Sequence, residues 1–436
     1  MERKTKAPRP LPVTVLRGHS EGVQTVCFLN DEVLLSGCQG GVVRAWNLER
    51  RRVSGEFAAT SHDFGILRLD VLSSDKIVSQ GRDGVIRVWS ADILARGGQG
   101  GNGQGTSPSS PLLAPAPAPI REIATRAFHF CQFALTRWRP SAATSAETEY
   151  HSSKNFRGED RRKEIDEDGG GWGIHAGDTP GGTRRRVDHG GDGDVGVDES
   201  PERSSGVPMH REGHPIKDKH INFSTGSFAE NVLLAPCESN KVRLWDLRDK
   251  TPAYTIAPAD AERKGMLMCA RLMGQSPSCS APYAICGHDC GHLCFYDLRA
   301  SSRTALMEPR LHEKPLLCVD MGSSCTQGVS GSADDNIHVF GINLQKGLCN
   351  VVNTFRSQHP GTACVEIRRD QKLFVSGGWD HRVRVFSWRN PRPLAVLKSH
   401  DGSVTSIAHS QRIGGFASGS ADSRVAIWNV FPEDGG

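Results

Sequence analysis

Four potential zinc ligands, Cys286, His288, Cys290 and His292, fall within seven residues of one another. Thiolate and imidazole suit zinc, but structural zinc sites usually join two separated ligand pairs. Here the group spans a strand end and its turn, so no metal site is expected. Two Gly-x-Gly-x-x-Gly matches, Gly98 to Gly103 and Gly191 to Gly196, could in principle cradle a phosphate. Both lie in low-complexity sequence with no helix behind them, and a phosphate needs that helix N-terminus. No nucleotide or other cofactor is expected. Asn222-Phe-Ser224 fits a glycosylation acceptor, which matters only for a secreted chain. The remaining chemistry-bearing pattern is a recurring His and Asp, a pairing that elsewhere performs acid–base work.

That pattern belongs to a repeat. Ser79 to Trp89 and Ser418 to Trp428 align without gaps. Each has a Ser, an Asp four residues on and an aromatic six residues later. The frame recurs at Ser36, Gly40, Trp46; at Ser330, Asp334, Phe340; and at Ser376, Asp380, Phe386. Weaker copies end at Trp245, with Ser239 in the Asp position, and at Tyr296, with Cys290 there. A His stands 21 or 22 residues before the Asp position, as His19, His62, His312, His359 and His400. Between His and Ser runs a short alternation such as Val23, Thr25, Cys27, whose period of two marks a strand. Each unit therefore reads as four short strands. The terminal aromatics are 42 to 51 residues apart, except for one gap of 156. Seven units result, one of them carrying an insertion.

The repeat resembles the WD40 repeat over most of the chain. The resemblance implies an all-β, seven-bladed β-propeller. The last unit stops after its third strand, at Trp428, so a strand at Val13 to Leu16 is expected to complete it and close the ring. The resemblance also implies a role for the repeated residues. The turn Asp bonds backbone amides and the His, the His bonds the Ser hydroxyl, and the Ser bonds the Trp indole. Full sets are His62, Ser79, Asp83, Trp89 and His400, Ser418, Asp422, Trp428. Buried polar groups are tolerable when each is paired in this way. These sets are read as structural, and the chain as a non-enzyme.

The blades occupy 11–90 (blades one and two), 120–139 (the start of blade three) and 218–431 (the rest of blade three and blades four to seven). Residues 91–119, with Pro111-Leu-Leu-Ala-Pro-Ala-Pro-Ala-Pro119, read as a flexible linker. Ile120 to Leu135, with Phe128, Phe130 and Phe133, is assigned to the outer and first strands of blade three. Residues 140–217 are expected to be a disordered insertion in blade three, being Gly-rich and poor in apolar residues. They hold 16 acidic and 11 basic side chains, a net of −5, against +4 for the whole chain of 436 residues. The ring proper is then about +9, which favours an acidic partner or the insertion folding back on it. A translated intron would read the same way.

No run of eighteen apolar residues exists, so no membrane insertion is expected. Met1 to Pro10 has no apolar core for a secretory signal. Thirteen scattered cysteines fit reduced thiols in nucleus and cytoplasm better than a disulfide framework. The small net charge argues against nucleic acid as the main partner.

A propeller without a reaction centre is a platform for protein partners. The residue before the turn Asp faces one rim, and there Arg82 and Trp379 stand out, because exposed Arg and Trp dominate interface hot spots. Trp245-Asp246-Leu-Arg248 matches the WDxR signature of substrate receptors of cullin-4 ubiquitin ligases, so Trp245, Asp246 and Arg248 are the alternative partner-binding set. Arg382, Arg384, Arg389 and Arg392 read as a solvated strand edge.

Leu16-Arg-Gly-His-Ser-Glu-Gly-Val, Ala127-Phe-His-Phe-Cys131 and Val375 to Phe386 resemble a narrower group. It is the guanine nucleotide-binding protein beta-subunit-like protein 1 group, called ASTRA-associated protein 1 in fungi. Plant members are named for a decreased size exclusion limit of plasmodesmata. The resemblance implies a non-catalytic subunit of ASTRA-type chromatin-remodelling and kinase co-chaperone assemblies, with plant relatives acting in development and plasmodesmatal transport. It predicts a monomeric ring within a multisubunit complex. Three prolines within Met1 to Pro12 leave no helix there to pair with a G-protein gamma subunit.

Overall fold

The computed structural model describes residues 10–61, 63–96, 118–127, 131–135, 232–249, 251–256, 264–273, 282–300, 304–410 and 414–431. They form seven antiparallel sheets, the blades of a propeller, six with four strands and one with three. Blade one shows the common plan, with Val23–Phe28 innermost, then Val33–Cys38, Val42–Asn47 and Arg52–Ala58 outermost. Blade seven is made from both ends of the described chain. Thr14–Arg17 pairs antiparallel with Arg424–Trp428, Leu16 opposite Val425. The closing strand is thus one residue further along than the alternation indicated.

Burial is greatest in the second strand of each blade and falls outward from there. The second strands Val33–Cys38, Lys76–Gly81 and Leu373–Gly378 are buried almost throughout, because a neighbouring blade packs on each side. The outermost strand Arg52–Ala58 is exposed at its first three residues. The Ser-Gly of four repeats, beginning at Ser36, Ser330, Ser376 and Ser418, has a packing cause. The glycine sits where the next blade's innermost strand presses in. A Cβ on Gly377 would lie 2.5 Å from Val404 Cγ1, and one on Gly419 would lie 2.8 Å from Val23 Cγ1 across the closing seam.

Adjacent innermost strands are also latched by side chains. All but Ala134–Leu135 have a bulge near the start, and the next residue reaches sideways. Leu69 N donates to Thr25 Oγ1 at 3.1 Å, and Val26 N donates to Ser406 Oγ at 3.1 Å. The thiols of Cys269 and Cys318 donate to Leu316 O and Thr362 O at 3.5 and 3.4 Å. These cysteines therefore serve as small hydrogen-bonding core residues, and every cysteine among the described residues is free.

Three sequence expectations are corrected. Arg121–Ala124 pairs with Val85–Ser90, so it is the outer strand of blade two, and only Ala134–Leu135 opens blade three. The repeat unit begins with the outer strand of the preceding blade, which explains the offset. Ala91 to Arg96 is not open linker. It turns into a short helix, Ile93–Arg96, with Ile93 and Leu94 buried against blade one. Blade four lacks a regular fourth strand. The chain at Met307 and Arg310 makes two isolated bridges, to Phe295 and His292, and Pro309 between them has no N–H to extend a ladder.

The insertion 140–217, Phe128, Phe130, His62 and most of 91–119 lie outside the described residues. The chain leaves blade three at Leu135 and returns at Val232, and Leu135 stands opposite Leu233. The first two strands of blade three are thus paired across this long stretch of sequence.

Gly419→Ala is expected to lower stability by about 1–3 kcal/mol, as an overpacked core position does. An unchanged denaturant midpoint would show that the seam between blades seven and one is loosely packed.

Candidate protein-interaction surface

The His–Asp pairs come first, because they decide whether the ring has a reaction centre. In blade seven, His400 Nδ1 is 3.0 Å from Asp422 Oδ2 and Nε2 is 2.8 Å from Ser418 Oγ. Trp428 Nε1 donates to the same hydroxyl at 2.8 Å. Ser418 has one proton, which goes to Nε2, so Nδ1 carries the proton bonded to the carboxylate. Asp422 also accepts from the backbone of Asp401 and Arg424, both at 3.0 Å. In blade two, Trp89 donates to Ser79 at 2.8 Å, and Arg87 pairs with Asp83 at 2.7 Å.

The other blades vary the theme. In blade five, His312 bonds Asp334 and Ser330, each at 2.9 Å, and the series stops there because Phe340 has no donor. In blade one, His19 and Trp46 both bond Ser36, at 2.6 and 2.7 Å. Gly40 leaves no carboxylate in that turn, and Glu21 fills the space, with Oε1 2.8 Å from where a Cβ would stand. In blade six, His359 is exposed, and Asp380 instead takes two bonds from the buried Arg384. This corrects two readings, since His359 was placed in the buried frame and Arg384 on a solvated edge. Blades three and four have Ala235 and Cys286 where the others have Ser, and the Trp245 indole N–H is buried without a partner.

The two His–Asp pairs formed among the described residues are not reachable. The side chains of His312 and His400 are 0% and 1% exposed. Their bonds are used up inside the blades, which is a structural arrangement. The Cys286 to His292 group does not converge on a cation either. Cys286 lies in the core between blades three and four, while the Cys290 thiol contacts His292 Nδ1 at 3.1 Å. Among the described residues no group of three or more such side chains is placed to hold a metal.

The ring encloses a central channel of about 1000 Å³. Trp379 and Arg82 both line it, on the face where the innermost strands begin. Trp379 N donates to Gly361 O at 2.8 Å, and the indole lies flat over Gly361, where a Cβ would meet Cε3 at 2.0 Å. The ring is fixed yet 44% exposed. Arg82, also exposed, is anchored through its N–H to Gly65 O at 2.9 Å. Met268, Leu317 and Ala363 line the same channel, and exposed Phe64 and Met266 stand on that face. Nothing in the repeat pattern singles out these apolar residues. Their only signal was a position just before or at the start of an innermost strand, where core residues look the same.

Arg248 is on the opposite face, past the end of the third strand of blade three. Its guanidinium grips Asp246, with Nε to Oδ1 at 2.9 Å and Nη2 to Oδ2 at 2.6 Å, and its side chain is 49% exposed. That bond holds the Asp246 carboxyl below its usual range. Arg299 grips Asp297 in the same way, with bonds of 3.1 and 2.8 Å. The clamp is therefore a property of the Asp-Leu-Arg turn. Trp245 is buried and forms no common surface with Arg248.

The pattern of the WD domain, G-beta repeat, matches residues 11–47, 349–387 and 391–429. Guanine nucleotide-binding protein subunit beta-like protein 1 of Mus musculus is 36% identical over 194 residues, covering 44% of this chain and 58% of the mouse protein. ASTRA-associated protein 1 of Schizosaccharomyces japonicus is 23% identical over 97% of this chain and 99% of its own. The crystal structure of the Cps50 (Swd1) β-propeller domain of Myceliophteria thermophila superposes with a TM-score of 0.58 at 13% identity, covering 96% of this chain and all of that one. The likeness is one of fold.

Burial makes the stability of the ring pH-dependent. Burial and Arg44 push His19 down to about 3, and burial first pushes His288 and His338 to about 4. Their folded values lie below the unfolded 6.5, so their stabilising effect is complete above pH 6.5 and is lost as pH falls towards 4. Linkage gives about 2 kcal/mol per such histidine between pH 7 and pH 5. The melting temperature should fall over that range, and a flat profile would show that these rings are hydrated. The chain carries WD40 repeats and has homologues named ASTRA-associated protein 1 across fungi and guanine nucleotide-binding protein subunit beta-like protein 1 in mouse.

Proposed function

We propose that this ring is a non-catalytic scaffold that holds protein partners within a multisubunit assembly of the ASTRA type, serving chromatin remodelling and the kinase co-chaperone system. The observation that carries this reading is Trp379, a half-exposed indole held rigid over Gly361 at the rim of the channel, with Arg82 on the same rim. A fixed aromatic loses little side-chain entropy when a partner covers it, which is why Trp and Arg dominate hot spots. The names of the fungal relatives support the choice of assembly. The closed His–Asp networks support the absence of catalysis.

The half-exposed guanidinium of Arg248 supports a second reading, a substrate receptor of a cullin-4 ligase. Pull-down with mass spectrometry of the parent, Trp379→Ala and Arg248→Ala chains separates the two. Trp379→Ala should lose chromatin or co-chaperone subunits, with affinity reduced about 30-fold or more, as for a hot-spot Trp. Arg248→Ala should retain them. Loss of a cullin-4 adaptor with Arg248→Ala alone, and indifference to Trp379→Ala, would replace the scaffold reading with the receptor reading.

A further inference from the structure

The outer edge of blade five differs from the other outer edges. An exposed edge strand presents unpaired N–H and C=O groups, and proteins usually blunt such edges with charge or proline. Arg52–Ala58 carries Arg52 and Glu56, Arg121–Ala124 carries Arg121 and Glu122, and Arg392–Lys398 carries Arg392, Pro393 and Lys398. Thr14–Arg17 ends on Arg17, and Tyr254–Ile256 has only three residues. Leu348–Arg356 is the longest strand among the described residues, at nine, and has neither charge nor proline before its last residue. That residue, Arg356, is neutralised by Asp335 at 2.8 Å.

The strand is also apolar outward. Leu348, Val351 and Val352 are 59, 42 and 50% exposed, and exposed Leu306 adjoins the turn at Gly347. The ladder pairs Val339 with Asn353 and Phe340 with Val351, which leaves Val352 as the extra residue of a bulge. The outer strands of blades one and six have the same bulge, so what sets this edge apart is its length and its uncharged, apolar residues. The centre of the strand reads Asn350-Val351-Val352-Asn353, the same in both directions. Such a sequence is self-complementary when two strands run antiparallel.

We propose that two copies of this chain pair edge to edge along Leu348–Arg356, antiparallel, about a twofold axis between Val351 and Val352. In that register Val351 faces Val352 of the second copy, and Asn350 faces Asn353. One patch serves both copies, which is the closed, isologous form of a twofold contact. The strand spans about 30 Å. A single strand edge with a few apolar side chains is a small interface, so a dissociation constant on the order of micromolar is expected. Both faces of the propeller stay open, so this pairing and the partner surface at Trp379 stand or fall separately.

Sedimentation equilibrium of the full purified chain, from about 1 to about 100 µM, tests the pairing. The parent should show a reversible monomer–dimer equilibrium. Val351→Lys and Val352→Glu should each weaken it at least tenfold. An equimolar mixture of the two variants should recover a heterodimer, because the introduced ammonium then faces the introduced carboxylate across the axis. A parent that stays monomeric throughout would overturn the proposal, and that is also the result expected if the edge takes a foreign strand. Single variants that associate like the parent would overturn it as well, as would a mixture that fails to recover. Thermal melting checks the fold of each variant, and if Val351→Lys melts early, Leu348→Lys at the exposed start of the strand is read in its place.

Discussion

The ring depends on one pairing, Thr14–Arg17 along the free edge of Arg424–Trp428. No blade buries its apolar faces alone; each needs a neighbour on both sides. Leu16, Val23, Val26, Val425 and Trp46 form one cluster because the closing strand brings the first and last blades together. An open ring would expose this cluster and break the latches that Val23 O and Val26 N make with Thr405 and Ser406. The glycine seats extend the same constraint around the circle, since Gly377 and Gly419 exist to admit a valine from the next blade. The channel mouth owes its outline to this closure, and Trp379 and Arg82 are set on it by backbone bonds to Gly361 and Gly65.

Inside the blades, the Ser hydroxyl is the pivot and the carboxylate partner is interchangeable. Ser36, Ser79 and Ser418 each take an indole N–H. The turn carboxylate is satisfied by His in blades five and seven and by Arg in blade six. Glu21 fills the turn space left open by Gly40 in blade one. What must hold is that no buried charge stays unpaired. Where Ser gives way to Ala235 or Cys286, the polar network goes with it, and apolar packing between blades three and four takes over. The Trp245 indole is left unpartnered because Ala235 offers it no hydroxyl.

The architecture was legible because a period of two, a fixed Ser–Asp–aromatic spacing and the phase of the last unit all reflect the backbone. Three other features were not. His359 has the right spacing, yet spacing cannot say whether a cation four residues further along reaches Asp380 first, as Arg384 does. The outer strand at Arg121–Ala124 was assigned one blade late, because sequence repeats and spatial blades differ by one strand. Pro309 signalled the broken edge of blade four, but a proline in an outer position is also compatible with an ordinary strand, as Pro393 shows. For the candidate surface, Trp379 and Arg82 were found from the turn register alone. Met268 and Leu317 were hidden, since a residue lining a channel and one facing a core share the same alternation.

Trp379 and Arg248 differ in what they would lose on binding. Arg248 is already in a two-point bond with Asp246, so a partner must compete with that carboxylate or accept the pair as a nearly neutral unit. A half-exposed ion pair contributes little energy of its own, and breaking it returns little. Trp379 has no such prior commitment. One face of its indole is already seated on Gly361, and the other face is open. Covering it removes apolar surface from water without breaking an existing bond and without ordering a mobile side chain. On these grounds the mouth of the channel has more binding energy to give than the Asp-Leu-Arg turn.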